Sequence, residues 1–238
     1  MENQKFAFVR KIVCVAFFAV QFVVWMLLLF APMSGETHNV LSYSATVFCL
    51  ATTIFFFQKK VGWGLQTAAF VFTLIADFFL VLLGGQHKTI AMCSFVCAQL
   101  CYAWRTVLMA KTAKERWVNI VLRSVCSVLG GVAVVAVLKE AAEPLFVISL
   151  VYYVNLLLSI VFSFLHWKDS VEARWMAIGL LSFSLCDLSI GLNFVINIFS
   201  LGHGNFIYDL KPIFNKFVVM FYPPSQALLC GSANSCKS

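Results

Sequence analysis

Long apolar runs separated by short polar stretches occupy this chain almost from end to end. Reading the runs against their breaks predicts eight helices, approximately Lys11–Ala31, Val40–Gln58, Gly62–Leu83, Thr89–Met109, Trp117–Leu138, Pro144–His166, Trp175–Ile196 and Ile213–Gly231. Each is close to the roughly 20 residues that a helix needs to cross a bilayer. The breaks are polar or turn-like: "PMSGETHN", "KK", "GGQHK", "KTAKER", "KEAAE", "KDSVEAR" and "SLGHGNFIYDLK". Because the runs are continuous, they exclude the alternating pattern of a membrane β-barrel. The eighth run is the least regular, since it holds Lys216 and "YPPSQ". The first has the basic start of a signal peptide, but its apolar stretch is longer than the usual 7–15 or so residues. Its end, "APMSG", is also a poor cleavage site, so it is read as a retained helix.

Composition agrees with the pattern. Of 238 residues, 62% are hydrophobic and 11% charged, where a soluble domain would carry about 25% charged residues. The expected fold is all-α: a polytopic transmembrane bundle of about eight helices, forming one integral membrane domain over residues 1–238. The expected location is the plasma membrane of a bacterium, or otherwise an internal membrane. The net charge of +7 is a topology signal. With the N-terminus inside, eleven Lys and Arg fall in the inner breaks and ends, and only Lys88, Lys139 and Lys211 fall outside. Positive residues favour the cytoplasmic side, so both termini are expected there. The charge is thereby accounted for without a nucleic-acid partner.

Candidate chemistry starts from the acidic residues. Eight of the ten lie in breaks or at span ends, and only Asp77 and Asp187 are deep. A carboxylate at mid-membrane costs about 2.5 to 3.5 kcal/mol on insertion scales. Either residue alone could be a hydrogen-bonded tie between helices. Two at one depth suggest a site. Asp77 is 15 residues past Gly62 and Asp187 is 12 past Trp175, or about 22 and 18 Å of rise at 1.5 Å per residue. If the third and seventh helices adjoin, the carboxyls can face one cavity. Gln99, Tyr102, Tyr152, Tyr153, Asn155, Asn193, Tyr222 and Gln226 are candidates to line it. Gln99 with Tyr102, and Tyr222 with Gln226, share helix faces at three- and four-residue spacing.

Other chemistries fit less well. The four histidines (His38, His87, His166, His203) sit in breaks or at span ends, so no buried zinc site is expected. There is no "G-x-S-x-G" elbow for a serine hydrolase. Cys14, Cys49, Cys93, Cys97, Cys101, Cys126 and Cys186 lie well inside spans, and the stripe of Cys93, Cys97 and Cys101 is read as helix packing; only Cys230, at the end of the last span, and Cys236 look peripheral. A proton-coupled transporter also uses buried acids but favours broken helices at matched places in two halves. Gly130-Gly131 and Pro223-Pro224 do not correspond in that way.

Taken together, "LIADFFLVL" around Asp77, "GLLSFSLCDLSIG" with Gly179, Phe183 and Asp187, and "FYPPSQALL" with Tyr222 and Gln226 resemble the YhhN-like membrane proteins, the group that includes the lysoplasmalogenases. The chain departs from that pattern at "FVCAQLCY", where Gln99 stands in place of a histidine before Tyr102. Ala76 and Cys186 likewise replace the usual Gly and Ser ahead of the aspartates. The resemblance implies hydrolysis of the vinyl ether bond of a lysoplasmalogen, with Asp77 and Asp187 catalytic. It implies a membrane lysophospholipid as substrate; Gln99, Tyr102, Asn155, Tyr222 and Gln226 are the residues expected to bind it, and no cofactor or metal is expected. A non-catalytic lipid-binding role and a proton-coupled transporter are the alternatives.

Overall fold

A computed structural model describes residues 2–55, 62–84, 87–139, 144–198, 202 and 205–233. The "KK" break, Gln58, Glu140, Glu143, His203 and Cys236 lie outside the described residues. Among those described, the chain forms nine helices: α1 (Glu2–Phe30), α2 (Gly35–Phe55), α3 (Trp63–Asp77), α4 (Lys88–Met109), α5 (Ala113–Leu138), α6 (Pro144–Leu165), α7 (Val171–Ile198), the single turn α8 (Phe206–Asp209) and α9 (Lys211–Ser232). A π-helical turn, Phe78–Leu82, continues α3. The eight long helices are the eight predicted runs. Among the described residues, six helices are long and apolar enough to cross a membrane (Lys11–Phe30, Trp63–Leu82, Lys88–Met109, Ala113–Ala136, Val147–Leu165 and Val171–Asn193). Helices α2 and α9 are comparable in length, with 21 and 22 residues, but carry more polar side chains. The protein is a multi-pass helical membrane protein.

The short breaks act as local stop and start signals. At "KTAKER", the Thr112 hydroxyl accepts from the Glu115 amide at 3.1 Å, and Glu115 reaches back to the amides of Lys111 and Thr112. This reciprocal capping box satisfies donors at the start of α5 that otherwise have no partner. Asn205 caps α8 through the Ile207 amide. Gly62 precedes α3 at a φ of 87°, in the left-handed region that glycine enters at little cost.

Packing is closest between α7 and α9 and between α3 and α4, with α6 bridging α4, α5 and α7, and α1 lying on α2 and α9. Gly179 explains the α7–α9 contact. A side chain at that position would meet the Leu229 backbone nitrogen at 3.1 Å, so only hydrogen there lets the two backbones approach. The interior joins Phe17, Phe70, Phe95, Tyr102, Leu156, Met176, Leu180, Phe183 and Leu229. Large apolar side chains also cover the outside, for example Val121, Val125, Val128 and Val132 along α5, as a surface solvated by lipid requires. Cys97 and Cys101 are half-buried and Cys93 is exposed, so the cysteine stripe is only partly packed. Cys230 is not peripheral: it is buried beside Cys49 and Thr53, because α9 runs through the centre of the bundle.

Candidate functional site

Asp77 is the last regular α-helical residue of α3. Directly after it the Leu83 amide reaches back five residues to the Phe78 carbonyl at 3.0 Å, the bond that defines a π turn and that recurs at functional sites. The side chain is 4% exposed and accepts a hydrogen bond from the Tyr222 hydroxyl of α9. Tyr222 itself precedes a disturbed stretch, since the nitrogens of Pro223 and Pro224 cannot donate to the carbonyls one turn back. Helix α2 closes this side. Thr46 lies beside the Tyr222 hydroxyl, Tyr43 lies within electrostatic reach of Asp77, and Asn39 donates to the Val81 carbonyl of the π turn at 3.2 Å.

Asp187 lies within α7, half-buried, and accepts from the Tyr152 hydroxyl of α6. The two Asp–Tyr pairs are neighbours. Asp77 is within electrostatic reach of Asp187, and Cys186 is within reach of both carboxyls. An arc of rings links the pairs: Tyr152 to Phe95 at 6.1 Å, Phe95 to Phe183 at 6.2 Å, and Phe183 to Tyr222 at 6.0 Å between centroids. These spacings suit edge and tilted aromatic packing, so the arc also fixes the positions of the two phenols.

Gln99 lies beside Tyr152, and Gln226 is one turn beyond Tyr222 on α9. Both are 1% exposed, yet neither atom of either amide has a hydrogen-bond partner within the protein. Leaving a buried polar atom unpaired costs about 1–3 kcal/mol, so these amides are ready to meet a polar ligand. Tyr102 is also buried and its hydroxyl unpartnered, but it sits one turn further from the carboxyls than Gln99. Asn155 is turned to another job: its amide donates to Ser127 of α5 at 3.0 Å and to the Val151 carbonyl at 2.8 Å. Tyr153 accepts from Ser184, and Asn193 donates to Asn215. The structure thus gathers Asp77, Asp187, Gln99 and Tyr222 around the arc and ties Asn155 into the α5–α6 contact.

Two buried arginines stand apart from the pair. Arg123 of α5 donates to Asn119, Thr106, Ser159 and the Asn155 carbonyl at 2.6–3.1 Å, and its guanidinium lies 5.6 Å from the Phe162 ring. Arg105 of α4 donates to Gln66 and to the hydroxyl and carbonyl of Ser232. At the same end of the bundle, on the surface, Lys111 and His166 hold the Asp169 carboxyl below its usual range through hydrogen bonds. Tyr43, Thr46 and Gln66 carry only a weak signal in the sequence, because single hydroxyls and amides are common in membrane helices.

Fold and site together define a multi-pass helical membrane protein with two Asp–Tyr pairs inside its helical bundle. The family model for the YhhN family matches residues 38–233, well over half of the chain, and the protein belongs to that family. No curated protein and no solved structure matches it.

Proposed function

We propose that this chain is a membrane hydrolase of the lysoplasmalogenase type, cleaving the vinyl ether bond of a lysoplasmalogen to a fatty aldehyde and a glycerophospho-alcohol. The observation that supports this most is the double Asp–Tyr arrangement: two neighbouring carboxyls deep in the bundle, each oriented by a tyrosine from another helix. In the proposed reaction, one carboxylic acid protonates the vinyl carbon remote from the ether oxygen. The carbon bearing the oxygen becomes an oxocarbenium ion. Water adds to it, and the water's proton passes to the second carboxyl. The hemiacetal then collapses: the carbon–oxygen bond breaks, the second carboxyl protonates the departing glycerol oxygen, and the hemiacetal hydroxyl returns its proton to the first, so one water is consumed and both carboxyls are restored. The scheme needs one carboxyl protonated and the other ionised, a division of roles that paired carboxyls support. It parallels glycoside hydrolysis, which also passes through an oxocarbenium-like state.

Asp77 is assigned the acid role and Asp187 the base role. The base must meet water, and Asp187 is the more exposed; the acid must keep its proton from water, and Asp77 is 4% exposed. Gln99 and Gln226 are placed to bind the attacking water or the glycerol hydroxyl. The test compares a lysoplasmalogen with its saturated alkyl-ether analogue on purified protein, reading released aldehyde. Aldehyde from the first and none from the second is expected, since the alkyl ether has no double bond to protonate.

One observation favours a second reading. An amide at Gln99 cannot exchange a proton near neutral pH, so the chain could bind the lipid without cleaving it. Binding of lysoplasmalogen with no aldehyde released would decide for that reading.

A further inference from the structure

A cavity of about 240 Å³ opens at the end of the bundle where α3 begins and α6 turns into α7, with Trp63, Arg105, His166, Glu172 and Ser232 in its lining. Arg105 is 5% exposed and is also the end of a buried polar column. Its guanidinium donates to the Gln66 side-chain oxygen, and the Gln66 side chain lies beside the Tyr102 hydroxyl. Tyr102 is one turn from Gln99 on the same face of α4, and Gln99 lies beside Tyr152, which holds Asp187. Along α4 the column rises about 9 Å, six residues from Arg105 to Gln99 at 1.5 Å per residue.

What distinguishes this column is its unmet hydrogen bonding. Gln66 Nε2, the Tyr102 hydroxyl and both polar atoms of Gln99 make no well-formed hydrogen bond within the protein, Gln66 only approaching Tyr102 and Gln99 only approaching Tyr152, although all three residues are at most 1% exposed. The Arg123 cluster on the neighbouring α4–α5–α6 junction shows the opposite, with its polar groups closed upon one another. Buried polar atoms without protein partners are ordinarily met by internal water.

We propose that the Arg105–Gln66–Tyr102–Gln99 column is a hydrated path that delivers water from the Arg105 cavity to the carboxyl pair. On the charge pattern, the cavity lies at the expected cytoplasmic end. The purpose of the path rests on the hydrolase reading, but its existence does not. Vinyl ether hydrolysis consumes one water and no net proton. A fixed cation at the mouth suits that need, because it admits neutral water while repelling hydrated cations. In this scheme Gln66 and Tyr102 are positioning residues for water, and neither touches the lipid.

The test is hydroxyl-radical footprinting of the full chain in a bilayer disc, with radicals generated in place by pulsed radiolysis of water and read by mass spectrometry. Tyr102 and Phe17 are equally shielded, at 1% and 2% exposure, so surface access alone predicts equal labelling. The path predicts that Tyr102 is labelled several-fold faster than Phe17, which packs between α1 and α2. Equal, background labelling of the two would overturn it. Gln66→Leu should then reduce Tyr102 labelling and lower kcat about tenfold with KM little changed, the pattern of an interaction needed after substrate binds. Unchanged Tyr102 labelling in Gln66→Leu would also overturn the route. Fast labelling of Tyr102 in a protein that releases no aldehyde would uphold the path and sink the hydrolase reading instead.

Discussion

The two carboxyls are held by helices built in different ways. Asp77 stands where α3 gives up regular geometry for a π turn, and its partner Tyr222 stands just before two prolines in α9. Asp187 and Tyr152 both lie inside unbroken α-helix. Irregular backbone thus flanks the buried pair, and the ordinary 3.6-residue repeat suffices for the half-buried one. The contrast shows where position has been bought with helix regularity. Asp77 sits among groups from α2, α3 and α9, where α3 passes into a π turn and α9 carries two prolines. Asp187 needs only that α6 and α7 lie side by side.

The largest effects should come from the carboxyls themselves. Removing a general acid or base usually costs about 10²- to 10⁴-fold in rate. Asp77→Asn and Asp187→Asn should each lose turnover on that scale while keeping the helical circular dichroism of the parent. Lengthening the side chain separates the two: Asp187→Glu, at the half-buried position, should retain more activity than Asp77→Glu, at the buried one. Equal damage from the two glutamates would break the comparison.

Next come the phenols. A hydrogen bond to a charged group is worth about 1.5–3 kcal/mol and one between neutral groups about 0.5–1.5 kcal/mol. Tyr152→Phe, which strips a donor from the ionised Asp187, should slow the reaction roughly 10- to 100-fold, and Tyr222→Phe, beside the protonated Asp77, roughly 2- to 10-fold. Steady-state kinetics should therefore show the larger loss at Tyr152; a larger loss at Tyr222 would reverse the assignment of acid and base.

Gly179→Ala probes how α7 is set against α9. The added methyl would lie 3.0–3.2 Å from Leu228 and Leu229 atoms, including a backbone nitrogen. Overpacking of this kind costs about 1–3 kcal/mol. Thermal unfolding should report that loss, and because α9 carries Tyr222, activity should fall less than in either phenylalanine variant. The smallest change is expected from Gln99→His, which supplies an exchangeable proton beside Tyr152. Its aldehyde release should rise by less than about tenfold, the lower range of general acid–base assistance being 10². A decrease would mean that the amide is better suited to this site than the imidazole.

Much of this was legible in the chain. Eight helices follow from apolar runs long enough to cross a bilayer, and the two aspartates announce themselves because charge is otherwise kept to the breaks. The partners were harder to read. Tyr152 and Tyr153 are adjacent and equivalent as letters, and only the docking of α6 on α7 sends one hydroxyl to Asp187 and the other to Ser184. Asn155 has the polarity of a site residue, but the helix phase turns it to α5. Nothing in "FFLVLL" marks a π turn, because all its side chains are apolar and the irregularity is in the backbone. Cys230 seemed peripheral from its nearness to the C-terminus, a measure that ignores how centrally α9 is packed.

The Arg123 cluster bears on how the chain is built as well as on how it stands. α5 faces outward along most of its length and touches the rest of the molecule chiefly through α6. A guanidinium at the centre of a lone helix costs about 2.5–3.5 kcal/mol on insertion scales. Asn119 of α5 itself accepts one bond, but the other partners are Thr106 of α4 and Asn155 and Ser159 of α6, so most of the relief exists only once those helices are beside it. The hairpins on either side of α5 are therefore coupled during biogenesis. A nascent chain ending after α5 should hold that helix in the membrane poorly, and one extended through α6 should hold it well.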